Sequence, residues 1–194
     1  MAGRRDPLVI LITGDKGSGK TSSMMEVLRW ASERSIEISG IISPRCFDGK
    51  VLVGYDALDC RSGERFGLAR KPGYARGGGW MRFGGLGYVF SRSGLERANG
   101  ILGVAARRQR GAEILMVDEV GRLELMGKGL APGLEQVLSS MDKKPLVALV
   151  SCRLGAVDMV RSKACETGAR TRVWRSGDVP DLTEILESLT WTVA

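Results

Sequence analysis

Two periods of apolar and polar residues alternate along this chain. Positions 8–13 (LVILIT) form a short unbroken apolar run, the pattern of a strand buried on both faces. From Lys20 to about Glu33, the apolar residues Met24, Val27, Leu28 and Ala31 recur at helical spacing and share one face. Positions 36–43 predict a second strand, stopped by Pro44. Positions 49–58 and 63–70 predict two short antiparallel strands around a turn at 59–64. A helix is predicted over 93–111, with Ser93 as N-cap and Gly111 just past its end. Beyond it come a strand at 112–119 that ends in two acids, a helix at 133–141 and a strand at 145–151. A helix at 154–168, a strand at 169–174 and a last helix at 180–189, with Pro180 before or at its start, complete the pattern. Apolar strands alternating with amphipathic helices predict an α/β fold, a mostly parallel sheet covered on both faces, with a small antiparallel addition. No repeat or linker divides the 194 residues, so one domain over 1–194 is expected.

Positions 70–88 break the pattern. They hold seven glycines together with Arg70, Lys71, Arg76 and Arg82. Such a stretch builds no packed element by itself, and it reads as a mobile loop and a lid.

The turn after the first apolar run reads G-x-x-x-x-G-K-T, from Gly14 through Gly19, Lys20 and Thr21. A loop that passes several backbone N–H groups close to phosphates needs glycine where a Cβ would block the approach. The lysine of this pattern reaches the terminal phosphates, the hydroxyl suits Mg²⁺, and the helix that starts there turns its positive end to the anion. Its position between an apolar strand and an amphipathic helix is the context the pattern requires. Gly14, Asp15, Lys16, Gly17, Ser18, Gly19, Lys20, Thr21 and Ser22 are the expected nucleotide-binding residues. Lys16 either adds charge at the γ-phosphate or stays solvated at the loop tip.

The strand at 112–119 supplies the second half. Asp118 and Glu119 follow four apolar residues, at the strand end where α/β sheets bind ligands. Asp118 suits the Mg²⁺ sphere, directly or through water, which makes Thr21 and Asp118 the metal candidates. Strand alternation turns Glu119 away from Asp118, placed to orient or deprotonate a water. Gly121 allows a sharp turn, and Arg122 can stabilise transition-state charge. Lys20, Glu119 and Arg122 are the catalytic candidates. Glu124 either pairs with Arg122 or faces solvent.

Composition narrows the chemistry. There is no histidine, which excludes Ser-His-Asp and Cys-His mechanisms and leaves base work to a carboxylate or the substrate. The four cysteines form no C-x-x-C pair and read as free thiols. Hydrophobic residues at 43% supply a core, and no run of ~18 apolar residues is available to span a membrane. A cytoplasmic location is the default expectation. The net charge of +7 favours anionic ligands, with a triphosphate preferred over nucleic acid. Tyr74, Trp80 and Phe83 among arginines keep single-stranded RNA as the weaker candidate partner. A monomer is preferred over an oligomer.

The stretches ITGDKGSGKT, SGIISPRCFDGKVLVGYDALDCRSGER and VDEVGRLELMGKGLAPGLEQVL resemble the P-loop nucleoside-triphosphatases of the THEP type, also called cancer-related nucleoside-triphosphatases. Asp-Glu-x-Gly-x-x-Glu-Leu is the specific part, with Val120, Arg122 and Leu123 as mild replacements. The resemblance spans nearly the whole chain. It implies a P-loop NTPase fold, a RecA-like three-layer sandwich, and Mg²⁺-dependent hydrolysis of ATP, GTP and other NTPs to NDP and phosphate. It carries to Lys20, Thr21, Asp118 and Glu119, and less firmly to Arg122. Lys16 stands where many members have proline, and the 70–88 stretch is longer and richer in glycine than the family leads one to expect. Two alternatives stand beside hydrolysis: a small nucleoside or nucleotide kinase with 70–88 as an arginine-rich lid, and a nucleotide-switched module for RNA or protein.

Overall fold

The computed structural model describes residues 7–108, 113–141 and 147–176. The helix expected at 180–189 and Gly111 lie outside the described residues.

The first strand, β1 (Leu8–Thr13), is buried along its whole length, as an unbroken apolar run requires. The phosphate loop leads from it into α1 (Lys20–Ser32). Then come β2 (Glu37–Ile42), β3 (Arg45–Asp48), β4 (Val51–Asp59), β5 (Arg65–Arg70), β6 (Trp80–Arg82) and β7 (Val89–Ser91). After α2 (Arg92–Arg107) follow β8 (Glu113–Val120), α3 (Arg122–Leu125) and α4 (Ala131–Ser139). The series closes with β9 (Val147–Cys152), α5 (Val157–Glu166) and β10 (Arg170–Arg175).

Among the described residues one sheet joins ten strands in the order β10-β1-β9-β8-β2-β4-β5-β7-β6, with β3 paired to β4. The strands from β10 to β2 are parallel; from β2 onward every pairing is antiparallel. Alternation along β1 sorts the core into two layers. Val9 and Leu11 face α2, α4 and α5 through Leu102, Leu134 and Val160. Leu8, Ile10 and Ile12 face α1 through Met24, Val27 and Ala31. The sheet is therefore covered on both sides, the three-layer α/β arrangement expected.

The antiparallel part holds five strands, not the two read from the sequence. β3 escaped notice because Pro44 marks a stop, yet the chain re-enters the sheet at the next residue. Inside 70–88, Trp80–Arg82 forms β6 against β7, so pairing orders a segment with no apolar period. The N-cap of α2 is Ser91, whose hydroxyl accepts from the Gly94 N–H at 3.0 Å, and not Ser93.

Candidate active site

Gly19 sits in the phosphate loop at φ +101°, a left-handed conformation that a side chain would strain, and the loop's last residues, Lys20 and Thr21, open α1. Lys20 is nearly buried, and its Nζ donates to the Gly14 and Asp15 carbonyls at 3.0 and 2.9 Å. Asp15, Lys16, Gly17, Ser18 and Ser22 are exposed around it, and Thr21 is half-buried. Ser176, past β10, donates to Ser18 Oγ at 2.6 Å and ties the loop to the sheet edge.

Sheet order brings the carboxylates to this loop. β8 lies between β9 and β2, two strands from β1. Asp118 is fully buried. Its Oδ2 accepts from Thr21 Oγ1 at 3.0 Å and from the Ser43 N–H at 2.9 Å, and its Oδ1 accepts from the Ser151 hydroxyl. Burial pushes its carboxyl above the usual range, and the hydrogen bonds from Ser151, Ser43 and Thr21 pull it back. Glu119, at 29% exposure, sends Oε1 to 3.4 Å from Lys20 Nζ and 3.3 Å from Arg153 Nε. Simple alternation expects the two acids to part. The β8–β9 register shifts between Val117 and Val120, and both acids end on consecutive residues of the phosphate loop.

Glu124 corrects both readings made of it. It is buried and neither pairs with Arg122 nor faces solvent. Its carboxylate accepts from the Gly121 N–H at 2.8 Å and the Leu130 N–H at 2.9 Å, stapling the start of α3 to the turn before α4. Burial raises its pKa, opposed by those backbone donors. Gly129 must be glycine here: its φ is +63°, and a Cβ would lie 2.2 Å from Glu124 Oε1. Arg122 is exposed and reaches the Gly85 carbonyl at 3.4 Å. Lys16 is exposed, with its Nζ 5.5 Å from the centroid of the Tyr88 ring.

Three residues escaped the sequence reading. Ser43 directly follows β2 and Ser151 is the penultimate residue of β9, the strands that flank β8, and only the sheet order makes them partners of Asp118. Arg153, just past β9, packs over Gly121 and holds Glu119. Its one sequence signal is a cation at a strand's C-terminal end. Of the arginines expected in a lid, Arg70 is committed to Asp56 and to the Tyr55 and Ala69 carbonyls. Arg76 and Arg82 are exposed.

A glycine loop between the first strand and first helix, facing two acids on a nearby strand end, defines a P-loop nucleotide-binding protein of the α/β class. The chain belongs to the NTPase family, whose model matches residues 9–173. The nucleoside-triphosphatase THEP1 of Pyrobaculum islandicum is 32% identical over 136 residues, 70% of this chain and 71% of that protein. THEP1 of Methanopyrus kandleri is 31% identical over 119 residues, a match spanning 61% of each chain. The solution structure of a human cancer-related nucleoside triphosphatase superposes with a TM-score of 0.64 at 18% identity, covering 95% of this chain and 98% of that one. At that identity the likeness carries the fold.

Proposed function

We propose that the chain is a Mg²⁺-dependent nucleoside-triphosphatase that cleaves ATP, GTP and other common NTPs to NDP and phosphate. One observation carries the reading: two acids meet consecutive residues of a phosphate loop, Glu119 at Lys20 (3.4 Å) and Asp118 at Thr21 (3.0 Å). The names of the THEP1 relatives support it. Lys20 trades its loop carbonyls for β- and γ-phosphate oxygens. The loop N–H groups hold the chain of phosphates, and Glu119, steadied by Arg153, orients the attacking water and accepts its proton. Arg122 or Arg153 offsets charge that develops on the γ-phosphoryl group.

The residues fit Mg²⁺. Thr21 and Asp118 present one hydroxyl and one carboxylate side by side, and no cluster of three His, Cys, Asp or Glu exists among the described residues. Mg²⁺ typically takes one or two carboxylates and keeps waters and substrate phosphates as its other ligands. When bound it neutralises charge between the β- and γ-phosphates. A cytoplasmic setting belongs to the same proposal, and no described helix is long and apolar enough to cross a membrane.

Phosphate release measured over all common NTPs, in Mg²⁺ and in EDTA, tests the reading. Release in Mg²⁺ that stops in EDTA is the expected result. Release unchanged in EDTA removes the mechanism.

A further inference from the structure

Hydrolysis needs room for one water beside Glu119. Here the acid opens onto a cavity of about 130 Å³ whose walls are mostly apolar. That is close to the ~150 Å³ apolar cavity known to take up benzene. Leu68 of β5, Phe90 of β7, Leu95 of α2 and Leu123 of α3 build the walls. Tyr55 and Tyr88 close one side edge-to-face, with ring centroids 5.3 Å apart. Burial and the Tyr88 phenol push Tyr55 up to about 12, so it stays neutral. The antiparallel part of the sheet supplies much of this lining, and the phosphate loop contributes only Lys16.

Position gives the cavity its meaning. Phosphoryl transfer runs in line, with the attacking oxygen opposite the β–γ bridging oxygen. Lys20 and Thr21 stand at the start of α1, and Glu119, 3.4 Å from Lys20 Nζ, lines the cavity. With the γ-phosphate on Lys20, as the proposed function has it, a hydroxyl group at the cavity's polar end would stand beside Glu119 where the attacking water would stand. The charge pattern restricts what it belongs to. Lys16 lies over Tyr88, Arg122 reaches Gly85, Arg153 holds Glu119, and Glu124 is bonded twice by backbone. Among the described lining residues each cation already has a contact within the fold, and Arg122 and Arg153 are the two assigned to γ-phosphoryl charge, so the cavity favours an uncharged body over a second phosphate, and apolar walls offer little to a sugar.

We propose that this cavity is an acceptor subsite for a small uncharged alcohol with an apolar or single-ring body, to which the enzyme transfers the γ-phosphoryl group. The proposal rests on the NTPase reading and replaces its water. The alcohol oxygen forms a bond to the γ-phosphorus as Glu119 takes the hydroxyl proton. The bond between the γ-phosphorus and the β–γ bridging oxygen breaks, and NDP leaves with its electron pair. The products are a phosphate monoester and NDP, and Glu119 returns the proton to solvent.

The test supplies the full chain with ATP, Mg²⁺ and benzyl alcohol or cyclohexylmethanol as probe, and follows NDP, inorganic phosphate and monoester by ³¹P NMR. The expected result is NDP release in excess of phosphate, raised on the order of 10-fold by the probe, with the monoester making up the difference. Leu95→Phe and Leu68→Phe each push a ring into the cavity and should lower the monoester-to-phosphate ratio about 10-fold. Two variants are made so that one badly packed protein does not decide the test, and a ratio unmoved in both folded variants overturns the cavity assignment. Saturation-transfer NMR with a nonhydrolysable analogue reads probe binding separately. Binding without monoester, or NDP equal to phosphate with both probes, overturns the acceptor role while leaving hydrolysis standing. No Mg²⁺-dependent NDP with or without probe overturns both readings.

Discussion

In the parallel half of the sheet, polar groups near the site are buried and bonded. Asp118 has no exposed surface and three donors on its carboxylate, and Lys20 is spanned by two carbonyls and Glu119. In the antiparallel half, Phe47 and Val51 stand about half exposed, and Arg76 and Arg82 reach into solvent. A buried charge without partners is costly, so substitutions at these polar groups are expected to cost more in the first half than at the exposed positions of the second. The proposed phosphate chemistry sits where positions are fixed by many bonds. Much of the lining of the proposed acceptor cavity comes from the looser part.

The contrast breaks most sharply at Lys20. Lys20→Ala should abolish turnover and weaken binding of a nonhydrolysable NTP by about 2–5 kcal/mol, the cost of stripping a desolvated charge pair. Calorimetric titration reads this, and affinity equal to the parent's would remove the cradle. Arg153→Ala comes next. It should lower kcat roughly 10–100-fold with little change in KM, less than the 10²–10³ of a fully desolvated donor, because Arg153 is 43% exposed. A change in KM alone would make Arg153 a binding residue.

Glu124→Gln should affect stability before activity. A glutamine oxygen replaces two carboxylate oxygens, so one of the Gly121 and Leu130 N–H groups loses its acceptor. A loss of about 1–3 kcal/mol is expected in urea unfolding, and an unchanged midpoint would show the staple to be dispensable. The smallest effect belongs to the antiparallel half. Trypsin should clip near Arg76 or Arg82 in the free protein and more slowly with saturating nucleotide and Mg²⁺. Gly85 on Arg122 and Tyr88 beside Lys16 are the contacts through which such closure would be felt. Equal clipping rates would argue that the segment answers to another partner.

The phosphate loop could be read in sequence because its chemistry is local: spacing, glycine and the flanking periods all lie within one short stretch. Asp118 and Glu119 were visible because four apolar residues lead into them. Ser43, Ser151 and Arg153 were invisible because their meaning depends on β9, β8 and β2 being neighbours, and no local pattern states the order of strands. Glu124 was misread for a related reason. The G-R-L-E run resembles a capping box without its hydroxyl, but the second donor, Leu130, is set by the fold of the turn before α4. β6 was missed because its pairing with β7 orders a segment whose own sequence has no period.

Glu119 bears the central claim, and one paired measurement on Glu119→Gln tests it most directly: affinity for a nonhydrolysable NTP by calorimetry, and phosphate release with NTP and Mg²⁺. Glutamine keeps the shape and loses the basicity, so affinity should stay within a few-fold of the parent while turnover falls roughly 10²–10⁴-fold. Turnover near the parent's, or an affinity that collapses together with it, would contradict the assignment of Glu119 to the attacking water.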